Sequence, residues 1–361
     1  MKARVKEVVR AKDKRIIAIS DIHGNLSLFQ RLLAQTGYTK DDILVLVGDI
    51  TEKGPQSLAT LRYIMELASK NEVYVLSGNC DTLWEDIKYT VDDENLLRYM
   101  LLRQKSILNE MCRELSIEVN ERSDIKYIKE QIGQNYSAEL DWLEELPHII
   151  DMGDFVFAHA GLTSDNLSEQ KARTVMKTDA FLEQGLAFSR YVVVGHWPTA
   201  NYGKEKGCCN PIISEQQRII CIDGGNMIKG EGQLNALIIN DKDNITFTAL
   251  DDLVKAEVVA DQAANSNTIH ITWMDNAVEV LRQEPEFSLC RHISSQHELW
   301  IKNNRLFEAS DGMRCYDCTD FFLPVAQGDT VSIVDRSSKQ TLAKKDGTIG
   351  WVSNEKLKAI D

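Results

Sequence analysis

Five apolar runs in the first two-thirds of the chain each lead into a small cluster of polar residues. This repeated pairing constrains the fold more than any other feature of the sequence. The runs are Ile16-Ile17-Ala18-Ile19, Ile43-Leu44-Val45-Leu46-Val47, Val73-Tyr74-Val75-Leu76, Phe155-Val156-Phe157 and Val192-Val193-Val194. The clusters are Asp21-Ile22-His23-Gly24-Asn25, Gly48-Asp49, Gly78-Asn79-Cys80-Asp81, His159-Ala160-Gly161 and Gly195-His196. Uninterrupted β-branched runs of this length suit parallel strands buried on both faces. Open α/β sheets place their sites beyond the carboxyl ends of the strands. The pattern therefore predicts one site, assembled from strand ends, with Asp21, His23, Asp49, Asn79, His159 and His196 as its donors.

These donors are carboxylate, imidazole and amide oxygen, without a cage of thiolates. Such a set suits Mn²⁺, Fe or Zn²⁺. Two such ions about 3.5–4 Å apart polarise a phosphoryl group and make a nucleophile of water at neutral pH. A bridging carboxylate holds both at that spacing. Asp49, which ends the middle strand of the first unit, is the candidate. A metal-dependent hydrolase is the first hypothesis.

The rest of the composition bounds this reading. With 361 residues there is room for one large or two ordinary domains. A net charge of −14 disfavours nucleic acid or an anionic membrane as the main partner. It does not exclude a phosphorylated substrate, because bound divalent ions reverse the local field. The basic N-terminus lacks the apolar core of a signal peptide, and no apolar run reaches the length of a membrane span. The eight cysteines are scattered without framework spacing, so a cytoplasmic location is expected. Cys315-Tyr316-Asp317-Cys318 is a C-x-x-C without the second pair that a zinc ribbon needs.

Along the chain, residues 16–76 read βαβαβ. Residues from about 84 to 146 are rich in Leu, Glu, Lys and Arg at helical spacing and read as a helical insertion. Strands resume at Phe155–Phe157, Tyr191–Val194, Arg218–Ile222 and Leu237–Ile239. The last of these is joined to Ile245–Leu250 by the polar loop of a hairpin. The expected boundaries are a catalytic domain over 1–250, a linker over 251–267, and a small all-β domain over 268–361.

Taken in order, Asp21-Ile22-His23-Gly24, Gly48-Asp49-Ile50-Thr51-Glu52-Lys53-Gly54, Gly78-Asn79-Cys80-Asp81, His159-Ala160-Gly161-Leu162 and Gly195-His196 resemble the calcineurin-like metallophosphoesterase superfamily. The closest branch is that of the PPP-type protein phosphatases and the symmetrical diadenosine tetraphosphatases. The resemblance covers roughly residues 14–250. It implies an α/β fold, a sandwich of two mixed sheets flanked by helices. It also implies a binuclear site in which Asp21, His23 and Asp49 hold one metal and Asp49, Asn79, His159 and His196 hold the other, with Mn²⁺ first and Fe or Zn²⁺ next. The implied reaction is hydrolysis of phosphate monoesters or nucleotide polyphosphates by attack of a metal-generated hydroxide. A phosphoserine/threonine protein phosphatase, or a metal-binding scaffold with reduced catalysis, are the alternatives.

The chain departs from the family at two places. Lys53 stands where the family has a phosphate-binding arginine, which keeps a point charge but loses the bidentate fork. Cys80 stands where the family has the histidine that protonates the leaving oxygen. A thiol is a poor hydrogen-bonding substitute. Cys80 and Asp81 are the catalytic candidates, with Cys80 as a buried filler the alternative. Glu52 stands where many phosphatases keep an acid that orients that histidine. Lys53 and Asn25 are the substrate-binding candidates, although Asn25 also reads as a helix N-cap. In the tail, residues 328–333 and 347–352 resemble the ends of bacterial SH3-like domains, which implies a peptide partner.

Overall fold

A computed structural model describes residues 1–11, 14–89 and 92–360. The chain forms two compact units. One comprises Met1–Pro198 with Pro211–Asp251, and the other Thr199–Asn210 with Asp252–Asp361.

The first unit contains strands β1 (Val5–Glu7), β2 (Ile16–Ile19), β3 (Ile43–Leu46), β4 (Val73–Val75), β5 (Ile149–Asp151), β6 (Phe155–Ala158), β7 (Tyr191–Val194), β8 (Ile212–Ser214), β9 (Ile219–Cys221), β10 (Leu234–Asp241) and β11 (Asn244–Leu250). One sheet has the order β11-β10-β2-β3-β4 and the other β1-β5-β6-β7-β9-β8. Both are mixed. The β2–β3–β4 pairs are parallel and the β10–β2 and β10–β11 pairs antiparallel. Likewise the β6–β7–β9 pairs are parallel and the β5–β6 and β8–β9 pairs antiparallel.

Strand alternation explains why β2 is apolar throughout. Ile16 and Ala18 join Ile43, Val45, Phe155, Phe157, Val193 and Ile220 in the core between the two sheets. Ile17 and Ile19 point the other way, into the helical layer. With both faces covered, no residue of the run can be polar.

Helices α1 (Leu26–Thr36) and α2 (Ser57–Lys70) connect the first three parallel strands. Asn25 caps α1 through its side chain, and Gly37 ends it in the left-handed region at φ 63°. Between β4 and β5 the described residues form five α-helices, α3 (Trp84–Lys88), α4 (Asp93–Leu102), α5 (Ile107–Glu114), α6 (Ile125–Asn135) and α7 (Ser137–Glu145). Their apolar faces, including Leu96, Met100, Leu108, Ile128 and Leu140, are buried with α1 and α2 in one core. Helix α8 (Ala172–Lys177) lies between β6 and β7.

In the second unit, a five-stranded antiparallel sheet runs in the order Thr348–Ser353, Gln340–Lys345, Thr330–Arg336, Lys255–Val258, Leu357–Ala359. Residues 255–258 belong to the stretch expected to be a linker. They form an inner strand instead, with Ala256 and Val258 buried and Lys255 and Glu257 exposed. Four residues are too few for that alternation to stand out in sequence. The segment 199–210 supplies Ala200 and Cys209 to an apolar cluster with Leu342, Ile349 and Trp351. Among the described residues no helix is long and apolar enough to cross a membrane.

Candidate metal centre

The six expected donors come from five strand ends, and four of them leave the strand sharply. Asp21, His23, Asp49 and His196 all lie in the left-handed region, with φ of 55°, 50°, 52° and 66°. Side chains other than glycine avoid this region, and such strain persists where the surroundings enforce it, commonly at functional sites. Two glycines provide the clearance. A Cβ at Gly78 would come within 2.2 Å of Asp49 Oδ1, and one at Gly195 within 2.3 Å of Asp21 Oδ2.

Asp49 is the hub. Its Oδ1 accepts from the Cys80 amide at 2.8 Å and lies 3.3 Å from His159 Nε2. Its Oδ2 faces the other way, 3.8 Å from His23 Nε2. Two groups of potential ligand atoms, each gathered within 4.8 Å, share this residue: His23, Asp49 and Cys80, and Asp21, Asp49 and His159.

Each imidazole has one nitrogen fixed from behind. His23 Nδ1 lies 3.3 Å from the Thr51 carbonyl and His159 Nδ1 2.8 Å from the Val47 carbonyl, which leaves both Nε2 atoms facing Asp49. His196 is reversed. Its Nε2 lies 3.1 Å from Asp179 Oδ1, and its Nδ1 lies 2.8 Å from the carboxamide of Asn79. Carbonyl and carboxylate partners of this kind set the tautomer of a ligating histidine. Asp179 is a contributor that sequence reasoning missed. It is exposed and lies outside every motif.

The polar atoms fit a cation. Asp21 Oδ2 accepts from the His196 amide at 2.9 Å, but its Oδ1 has no hydrogen-bond partner among the described residues although Asp21 is 1% exposed. Asn79 Oδ1 faces only acceptors: His196 Nδ1, His159 Nε2 at 3.3 Å and the Met176 carbonyl. Turning the amide over would supply hydrogen bonds. A positive ion among these acceptors would account for the same convergence, with Oδ1 as one of its ligands. Burial and the Asp49 carboxylate push the Asp21 carboxyl up, and burial and Asp21 do the same to Asp223. Burial opposes the Asp49 charge, yet His159, His23 and Lys53 hold its carboxyl low. Bound divalent ions would relieve this crowding of acids.

The remaining candidates have varied positions. Lys53 Nζ lies 3.4 Å from His23 Nε2. Burial works against its ammonium, but Cys80, Asp49, Asp21 and Asp223 outweigh it and leave Lys53 above its ordinary value. Asn25 is committed elsewhere. Its Oδ1 accepts from Leu28 N at 3.3 Å and its Nδ2 donates to Asn226 Oδ1 at 3.3 Å, so its carboxamide caps a helix rather than presenting a phosphate contact. Asn226 in turn donates to the Ile22 carbonyl at 2.8 Å, holding the Asp21–His23 loop.

Asp81 also faces away from the reacting volume. Its carboxylate accepts from the amides of Ile50, Thr51 and Gly78 and from the Thr51 hydroxyl, all at 2.9–3.1 Å, and so ties two ligand loops together. Glu52 points to the helical insertion, accepting from Tyr99 Oη at 2.5 Å, Ile107 N at 2.7 Å and Ser106 Oγ at 3.1 Å. Neither acid orients a group at position 80.

Residues 14–225, more than half of the chain, match the calcineurin-like phosphoesterase family. A bis(5′-nucleosyl)-tetraphosphatase PrpE (asymmetrical) of Bacillus mycoides (strain KBAB4) is 29% identical over 163 residues, covering 42% of this chain and 59% of that protein. Its counterpart in Bacillus subtilis (strain 168) is 26% identical over 165 residues, covering 43% and 61%. The chain thus spans less than two thirds of these relatives' lengths. Among solved structures, a protein serine/threonine phosphatase from Saccharomyces cerevisiae is 13% identical with a TM-score of 0.43, covering 70% of this chain and 84% of that one. On the match over residues 14–225, this chain belongs to the calcineurin-like phosphoesterase family.

Proposed function

We propose that the chain is a phosphoesterase that uses two divalent transition metal ions to hydrolyse nucleotide polyphosphates of the dinucleoside type. The observation that carries this reading is Asp49, whose two oxygens face His159 and His23 at 3.3 and 3.8 Å. Asp21, His23 and Asp49 would hold one ion, and Asp49, Asn79, His159 and His196 the other. When bound, the pair would polarise the phosphoryl group and activate water. Lys53, fixed beside His23, would bind a phosphate oxygen as a point charge.

The supply of proton donors supports the substrate class. The first unit has four histidines. His23, His159 and His196 line the centre, and His148 accepts from the Arg4 amide at 3.0 Å. None is left to protonate a leaving oxygen. Burial pushes Glu52 up to about 7, a value suited to proton transfer, yet its oxygens are occupied by the insertion. With no free imidazole from the first unit, the favoured substrate is one whose leaving group departs unprotonated, such as a phosphoanhydride or an aryl phosphate. The names of the Bacillus relatives agree with the first of these.

The test compares initial rates of the metal-loaded chain on diadenosine tetraphosphate, nitrophenyl phosphate and a phosphoserine peptide. The peptide should be slower by about 10² or more, the typical worth of a general acid. A faster reaction on phosphoserine would overturn the substrate class. No metal-dependent turnover of any of the three would overturn the enzyme reading.

A further inference from the structure

We propose that Cys80 Sγ is a direct ligand of the ion that Asp21, His23 and Asp49 would hold, and that this sulfur tilts the centre towards a thiophilic cation such as Zn²⁺ and away from Mn²⁺. The inference rests on the two-metal reading above.

The geometry behind it is compact. A ring nitrogen of His23, a carboxylate oxygen of Asp49 and Cys80 Sγ all lie within 4.8 Å of one another. Two constraints keep Cys80 there. Its amide donates to Asp49 Oδ1 at 2.8 Å. The 3₁₀ turn Asn79–Thr82 that carries it starts at Gly78, whose Cα is packed against the Asp49 backbone too closely to admit a side chain. An unpartnered acceptor lies beside His23, although its own compact group is with Asp49 and His159. Asp21 Oδ1, buried and without a hydrogen-bond partner among the described residues, lies 3.6 Å from His23 Nε2.

One imidazole nitrogen, one carboxylate oxygen and one sulfur gather within 4.8 Å, and Asp21 Oδ1, 3.6 Å from His23 Nε2, would complete a four-donor set. Four donors including sulfur match the tetrahedral preference of Zn²⁺. Mn²⁺ favours oxygen-rich, higher-coordinate sites, and a thiolate adds little to its binding. The step is a ligand exchange. The metal–sulfur bond would form as a water molecule leaves the ion and the thiol proton passes to solvent, and no electrons are transferred. A sulfur engaged in this way cannot also donate a proton to a leaving group, which agrees with the preference for anhydride substrates.

The test uses the full chain loaded with Co²⁺. Ligand-field bands in the visible report that the centre is occupied, and a sulfur-to-cobalt charge-transfer band in the near ultraviolet reports a thiolate ligand. The wild type should show both, and Cys80→Ser should keep the visible bands and lose the ultraviolet one. X-ray absorption of the zinc-loaded wild type needs no variant, and should show a sulfur neighbour at about 2.3 Å. Visible bands without a charge-transfer band in the wild type, or a zinc site without sulfur, would overturn the proposal. A charge-transfer band that survives in Cys80→Ser would assign the sulfur to another cysteine and overturn it equally. Failure to bind any metal would overturn the two-metal reading itself, a result that elemental analysis separates from the others.

Discussion

Glu52 and Glu110 each cap the helix that the other precedes or occupies. Glu52, in the loop before α2, accepts from the first amide of α5, Ile107 N, at 2.7 Å. Glu110, on α5, accepts from the first two amides of α2, Ser57 N and Leu58 N, both at 2.8 Å. Each carboxylate satisfies amides that a helix start leaves unpaired, and each sits at the positive end of a helix dipole. The exchange clasps the helical insertion to the loop that carries Asp49 and Lys53.

The two halves of the clasp differ in burial, so their removal should differ in cost. Glu110→Ala removes a cap and should cost about 0.5–2 kcal/mol. Glu52→Ala removes the acceptor of the buried Ser106 hydroxyl and Ile107 amide and should cost about 1–3 kcal/mol. Urea melts of metal-free protein measure both, and the double variant should lose less than the sum of the single ones. Strict additivity would mean that the two caps act independently.

Asp179 should matter to metal affinity despite being exposed. With Asp179→Ala, His196 loses the carboxylate 3.1 Å from its Nε2 and with it the constraint that leaves Nδ1 free for a metal. Loss of such outer partners typically costs about 10–100-fold in affinity. Calorimetric titration with Zn²⁺ is the readout. An unchanged affinity would show that His196 is oriented without Asp179.

Asp49→Asn should abolish tight binding of both ions together, because one carboxylate faces both His23 and His159. Elemental analysis after gel filtration would show the loss. Retention of one ion at full stoichiometry would mean that Asp49 belongs to a single site.

Candidate donors could be picked out where they follow a strand whose apolar run is forced by burial on both faces. Ile16–Ile19 and Asp21 are an example of that coupling, and so are Val192, Val193 and Val194 with His196. The partners of those ligands were hidden for the opposite reason. Asp179 has no neighbouring pattern to mark it. Asp81 and Glu52 carry the composition of catalytic acids, and only the direction of their side chains shows that they bind backbone amides. Strand β1 was equally hidden. All three of its residues are exposed, so no alternation marks it, and its place comes from pairing with β5.

His148 supplies a pH dependence separate from the centre. Burial, with Arg4 and the chain's amino terminus, lowers it from 6.5 to about 4. Between those values the unfolded chain binds a proton that the native chain refuses. Stability from this group is therefore full above pH 6.5, falls as the pH drops, and is gone below about 4. In His148→Gln the urea midpoint of metal-free protein should shift less between pH 7.5 and 4.5 than in the wild type. Equal shifts would mean that His148 is protonated in the native state.

The second unit takes in a segment of the chain that begins a short step after His196. Within that unit, Cys209 N donates to Gly347 O at 2.9 Å, His270 N to Lys204 O at 2.8 Å and Ile349 N to Gly207 O at 3.0 Å, while Ala200 and Cys209 are buried at 1% and 0% exposure. A chain ending at Asp251 keeps residues 199–210 but loses every one of these partners. That segment should become the first site of protease cleavage, while the strands of the two mixed sheets remain protected. A second chain, ending at Asp251 and with 199–210 replaced by a short Gly-Ser link, should recover resistance to the protease. Limited proteolysis with mass mapping checks both. If the simple truncation is cut no faster in this segment than the full chain, the segment holds its own shape and does not depend on residues 252–361. If the relinked chain is also cut throughout, the first unit needs the second in order to fold.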